Sequence, residues 1–111
     1  MLLEIDADDF RNLETVLKRD ARRWMEENDV DIQGTLFLSY ITGAEILIAD
    51  VAFMVEEESN DGVWRKRFLY DRRIEGPLQS RHMWDAKTPM PEELRGRLSA
   101  ALIAYQGRQG A

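Results

Sequence analysis

The chain has 111 residues, 44% hydrophobic and 32% charged, with a formal net charge of −6: enough for one domain with one core, and too apolar for a disordered chain. It has no cysteine, which excludes disulfides and thiolate metal sites. Met1-Leu2-Leu3 runs straight into Glu4 and Asp6, so no basic leader is expected, and the longest apolar stretch, 36–55, carries Glu45 and Asp50, which argues against a membrane span; the lack of cysteine suits a reducing cytosol, so a cytoplasmic location is expected.

Asp6 is placed to cap a helix beginning at Ala7, with Asp8 and Asp9 in its first turn, where the helix dipole favours carboxylates. Phe10, Leu13, Leu17, Ala21 and Trp24 follow at spacings of three and four, so one amphipathic helix is expected as far as Asn28. Glu14 and Lys18 form an i,i+4 pair on its polar side. Thr35 to Ile41 is β-branched and aromatic, and Thr42-Gly43 is a turn signal. Residues 45–57 then alternate, and 63–73 complete a hairpin about a two-residue turn at Asp61-Gly62. That turn pairs Glu58 with Arg65, Glu57 with Lys66, Glu56 with Arg67, Val55 with Phe68, Met54 with Leu69, and Asp50 with Arg73. Cross-strand pairs of opposite charge contribute about 0.2–1 kcal/mol each and favour one register. Gly76-Pro77 ends the third strand, 78–90 reads as irregular, and Pro91-Glu92-Glu93 opens a closing helix with a stripe of Leu94, Leu98, Ala101, Leu102 and Tyr105. The expectation is one α+β domain over 1–111 with a frayed tail from about 107, in the order α-β-β-β-α. Its architecture would be a three-stranded antiparallel meander carrying both amphipathic helices on one face.

Alternation sorts the strands. Leu36, Leu38, Tyr40, Leu47, Ala49, Val51, Phe53, Val55, Phe68 and Tyr70 form the floor for the helices. Phe37, Ile41, Ile46, Ile48, Met54 and Leu69 fall on the opposite face, where an uncovered apolar patch marks a protein interface or a homodimer contact. Met83, Trp84 and Met90 in the irregular segment are a second candidate contact, because exposed tryptophan commonly anchors interfaces.

Charge is uneven: residues 1–61 sum to −11 and residues 62–111 to +5. The two halves attract each other within one fold, most directly in the hairpin. Glu26, Glu27, Asp29, Asp31, Glu56, Glu57, Glu58 and Asp61 would form an acidic surface for a basic or nucleic-acid-handling partner, in effect a nucleic-acid mimic. The alternative is direct nucleic-acid binding, since Trp64, Arg65, Lys66, Arg67, Arg72 and Arg73 interleave bases with an aromatic. The α-β-β-β-α order resembles that of double-stranded RNA-binding domains in topology, but Pro91-Glu92-Glu93 stands where those domains open their last helix with lysines. Lys18, Arg19, Arg22 and Arg23 make a further basic cluster on the first helix. His82, the only histidine, needs Ser80 or Asp85 within reach to act in acid–base chemistry. No nucleophile motif, phosphate loop or metal-ligand spacing occurs, so neither cofactor nor metal is expected. The expected function is non-catalytic binding of another protein, as an inhibitor, immunity-type protein or adaptor.

Overall fold

Asp6 closes one element and opens the next. In the computed structural model, which describes residues 2–109, it ends a strand, and its carboxylate accepts the Asp8 N–H at 2.8 Å to cap a helix. The chain order is β1 (Leu2–Asp6), α1 (Ala7–Arg11), α2 (Thr15–Glu27), β2 (Thr35–Ile41), β3 (Ile46–Ala52), β4 (Met54–Glu58), β5 (Trp64–Phe68), β6 (Tyr70–Asp71), β7 (Gly76–Pro77), β8 (Gln79–Asp85) and α3 (Glu92–Gln109). The chain is thus mixed α+β with an antiparallel sheet and three helices.

The order departs from the α-β-β-β-α expectation at both ends of the meander. The main sheet has four strands, β1-β2-β3-β8, all antiparallel. Residues 2–5 carry no strand in the sequence expectation, and β8 falls in the segment 78–90 expected to be irregular. Gln-Ser-Arg-His-Met-Trp-Asp is polar because it is an edge strand, largely exposed, and gains its order from pairing with β3. The likeness in topology to double-stranded RNA-binding domains lapses with the order.

The first helix is two helices. The Asn12 N–H folds back on the carbonyls of Asp8 and Asp9, ending α1. Glu14 then caps α2, accepting the N–H groups of Val16 at 2.7 Å and Leu17 at 3.1 Å, so its carboxylate serves the backbone rather than Lys18. α3 runs through Gly107 to Gln109; the side chain of Tyr105, expected at the end of its stripe, and residues 110–111 of the expected tail lie outside the described residues.

All three helices bury their apolar sides in one cluster. Phe10, Leu17, Ala21, Trp24, Met25, Leu94, Leu98 and Leu102 meet Leu3, Ile5, Leu38, Tyr40, Leu47 and Ala49 from the sheet. Trp24 and Tyr40 pack edge to face at 4.9 Å, a geometry favoured by their ring quadrupoles. Buried Asn28 fastens the end of α2 to the segment leading into α3. Its Nδ2 donates to Trp24 O (2.9 Å), its Oδ1 accepts the Thr88 N–H (3.0 Å), and its carbonyl accepts the Trp84 indole N–H (2.8 Å). The Trp24 indole donates to Thr88 O at 3.0 Å.

Beyond Ala52 the long strand leaves the body. Residues 54–58 pair with 64–68 as a ribbon, and 70–71 pair with 76–77 as a second, shorter one. Three strands meet at Phe53, Leu69 and Leu78 in a closed cycle: Phe53 N–H donates to Leu78 O (2.9 Å), Leu78 N–H to Leu69 O (2.7 Å), and Leu69 N–H to Phe53 O (2.9 Å). The radius of gyration is 15.6 Å, against about 13 Å for a compact domain of about 100 residues.

The ribbon register is one residue away from expectation. Ser59 N–H bonds Val63 O and Gly62 N–H bonds Ser59 O, leaving a three-residue loop with Gly62 at φ +78°, the pattern of a type I turn closed by a glycine bulge. Glu58 therefore faces Trp64, Glu57 faces Arg65, Glu56 faces Lys66, Val55 faces Arg67 and Met54 faces Phe68. A slip of one residue exchanges the faces. Leu69 therefore stands opposite Phe53 instead of Met54. Asp50 does not reach Arg73; it holds Arg81 from β8.

Candidate functional site

Because every helix packs on the Leu38–Tyr40 side, no element among the described residues covers the other side of the sheet. Strand register lays this outer face out as a grid. One row runs Leu2, Ile41, Ile46, Asp85; the next Glu4, Ser39, Ile48, Met83; the third Asp6, Phe37, Asp50, Arg81. Phe37, Ile41, Ile46 and Ile48 are half-buried by their neighbours and take no part in the core cluster. Leu2 is 53% and Met83 70% exposed. The charges lie at the margins. Arg81 Nε donates to Asp50 Oδ1 at 2.8 Å and Nη2 to Oδ2 at 3.3 Å, a two-pronged bond across β3 and β8 that raises the arginine pKa further.

The structure therefore brings together four expected interface residues, Phe37, Ile41, Ile46 and Ile48, and adds Met83 from the other expected group. Met54 lies past the sheet, in the ribbon. Trp84 and Met90 are corrections. Trp84 points to the helix side, half-buried, with its indole bonded to Asn28. Met90 is 7% exposed, and its N–H donates to the Tyr40 hydroxyl at 3.1 Å. That hydroxyl donates in turn to Glu45, and burial first, then Glu45, pushes the Tyr40 pKa up.

The ribbon is the second region exposing large side chains: Phe53, Val63, Trp64 (65% exposed), Phe68 and Tyr70. Phe53, Phe68 and Tyr70 were expected under the helices; all three are exposed in the ribbons, and of them Phe68 turns one side to a cavity beside α1 and α2. The ribbon's bases are held by its acids. Arg67 Nε meets Glu57 at 2.9 Å, Arg65 meets Asp61 at 3.2 Å, and Lys66 stands 3.9 Å from Glu56. Arg73 closes on Asp71 at 3.2 Å, while Arg72 is exposed beside it. The ion pairs take up much of the proposed acidic surface too, since Asp29 meets Lys87 at 2.6 Å. Glu26, Glu27, Asp31 and Glu58 remain exposed, on the far end of α2 and the ribbon tip.

A cavity of about 580 Å³, within the range of about 300–1,000 Å³ usual for ligand sites, lies between α1, α2, β2 and the ribbons. Ile5, Phe10, Met25, Leu36, Phe68 and Pro77 supply apolar walls, and Arg22 stands at its rim with its guanidinium 5.9 Å above the Phe10 ring. Sequence reading missed it, because its walls come from five separate segments.

Ser80 Oγ and His82 Nε2 lie 2.8 Å apart on exposed β8. Asp85 is an odd number of residues away and so projects from the opposite face of the strand, out of reach as a partner for the imidazole. Among the described residues no group of three His, Asp or Glu side chains forms a metal-sized cluster, and no helix is long and apolar enough to cross a membrane. Compared with family models, curated proteins and solved structures, the chain matches none.

Proposed function

We propose that the chain is a non-catalytic protein-binding module, an inhibitor or adaptor in kind, that engages another protein with the outer face of its sheet. One observation carries the reading: three helices crowd one side of a four-stranded sheet while Leu2, Phe37, Ile41, Ile46, Ile48 and Met83 line the other without a cover. An exposed apolar patch with polar margins is the usual mark of an interface. Glu4, Asp6, Asp50 and Asp85 outnumber Arg81 at those margins, which favours a partner carrying bases around an apolar centre, such as a nucleic-acid-handling protein.

The test is capture of a partner by the immobilised chain. Ile48→Asp, at the centre of the grid, is expected to abolish capture while the circular dichroism of the chain stays unchanged. Capture that survives Ile48→Asp would move the site elsewhere. Trp64→Ala is expected to leave capture intact.

A second reading, direct contact with single-stranded nucleic acid, is supported by the exposure of Trp64 on the longer ribbon and of Tyr70 on the shorter one, whose closing turn carries Arg72 and Arg73. The ion pairs of Arg65, Lys66, Arg67 and Arg73 oppose it, because phosphate contact needs unengaged bases. Titration at low salt decides between them: binding lost on Trp64→Ala would favour this second reading.

A further inference from the structure

We propose that β8 pairs edge to edge with β8 of a second copy of this chain, about a two-fold axis at Met83. The edge is open in the right pattern. Ala86 N–H donates to Glu45 O at 2.8 Å and Phe53 N–H to Leu78 O at 2.9 Å, at the two ends of the β3–β8 ladder. Hydrogen bonding alternates along an antiparallel strand, so Ser80, His82 and Trp84 spend their backbone groups on β3. Arg81, Met83 and Asp85 turn theirs outward from the sheet. An exposed strand edge of this kind is a template for another strand unless it is blocked.

The side chains choose the occupant and the register. Arg81, Met83 and Asp85 share the outer face, with opposite charges two residues either side of the methionine. Any antiparallel self-pairing whose axis passes through a residue sets odd-numbered residues against odd-numbered ones, and the axes at His82 and Met83 lie near the middle of the Arg81–Asp85 triplet. An axis at His82 puts Arg81 against Met83 of the second copy and Asp85 against Gln79, leaving both charges without a counterpart across the new junction. An axis at Met83 puts Arg81 against Asp85 of the second copy, and Asp85 against its Arg81. It also sets Met83, 70% exposed in the single chain, against its twin. The triplet is complementary to itself, as an isologous contact requires. Arg81 can serve both acids, because its Nε and one Nη2 bond engage Asp50 and a guanidinium has five donors. The result is an eight-stranded sheet with the two outer faces side by side. The pairing takes the edge and the β8 margin of the face, Arg81, Met83 and Asp85, and leaves Phe37, Ile41, Ile46 and Ile48 open, so it stands or falls separately from binding at the centre of that face.

Sedimentation equilibrium of the full chain reads the outcome. The wild type is expected to be dimeric, and Asp85→Arg, which sets arginine against arginine twice, to weaken the dimer at least about tenfold. Combining it with Arg81→Asp in an Asp50→Asn background, which avoids setting two carboxylates together across β3 and β8, reverses both polarities and is expected to restore dimerisation. Met83→Pro removes an outward N–H that no internal bond uses; it is expected to yield a folded monomer by circular dichroism. If that variant does not fold, the charge exchange still decides. A wild type that stays monomeric at millimolar concentration overturns the proposal. So does a dimer that ignores Asp85→Arg but disperses on Ile48→Asp, which would place the contact face to face, and so does a double exchange that fails to restore what the single one lost.

Discussion

The body and the ribbon are joined by one continuous stretch of chain, 46–58, in which Phe53 separates β3 from β4, yet they are held by different forces. In the body, Leu47 and Ala49 are fully buried under α2 and α3. Seven residues further on, β4 carries Glu56, Glu57 and Glu58, all exposed, and its partner strand is exposed throughout. The body is stabilised by apolar burial, about 25 cal/mol per Å². The ribbon relies on a hydrogen-bonded ladder, a tight loop and surface ion pairs, each worth about 1 kcal/mol or less. A short two-stranded ribbon is marginal on its own in water, so this one keeps its shape because the body anchors its base.

Substitutions in the two regions should therefore separate widely. Leu98→Ala, at a fully buried site, is expected to cost about 2–5 kcal/mol in urea unfolding. Trp64→Ala, on the ribbon, is expected to change the same melt by no more than about 0.5 kcal/mol. Equal effects would mean that the aromatic ribbon packs on something in solution. Asn28→Ala is next in size. It removes the side-chain oxygen that accepts the part-buried Thr88 N–H and the amide that donates to the Trp24 carbonyl, while the Trp84 indole keeps its bond to the backbone carbonyl of residue 28; the expected cost is about 1–3 kcal/mol in the same measurement. Gly62→Ala forces a Cβ into a left-handed conformation, costing about 1–2 kcal/mol locally. Hydrogen exchange should accelerate from residue 56 to 66, while the amides of β2 and β3 stay protected.

Acid should produce the smallest effect, and it has a definite sign. Glu14 is held below the ordinary carboxylate range by the Val16 N–H and then the Leu17 N–H, and Asp20 by Arg97. Asp61 is lowered by the Ser59 hydroxyl first and then the Val63 N–H, and Asp71 by the Arg73 guanidinium. A carboxylate lowered in the folded state contributes stability above its unfolded value, about pH 4, which is lost as the pH falls through the folded value. Asp9, raised by burial and by Asp6, acts in the opposite direction. Urea melts at pH 7 and at about pH 3 should show a modest net loss in acid. A gain would mean that repulsion among the acids outweighs these bonds.

The parts that sequence reading recovered are those in which one residue type has one physical use. The stripe Leu17, Ala21, Trp24 has the spacing of a buried helix face, and β-branched 35–41 has the composition of a strand. The misses share a cause: residues serving a neighbour distant in sequence. β8 carries no strand signature because its order comes from β3. Glu14 is not a usual capping residue, so the break between α1 and α2 was hidden by an unbroken apolar stripe. The ribbon register failed by one because Asp61-Gly62 supports a two-residue or a three-residue loop, and the charges 56–58 and 65–67 satisfy either. Of the interface, Phe37, Ile41, Ile46 and Ile48 could be read from alternation, whereas Met83 joined them only once 79–85 was known to be a strand.

The cycle joining Phe53, Leu69 and Leu78 has a mechanical consequence. Each residue there gives its amide hydrogen to one of the others and takes a hydrogen at its carbonyl from the remaining one, so displacing any of the three disturbs its bonds to both. The projecting arm is welded to the sheet, and a torque applied at its tip is carried along residues 53 to 46 into the strand under the helices. A load on the arm would be felt by the core before the joint gave way.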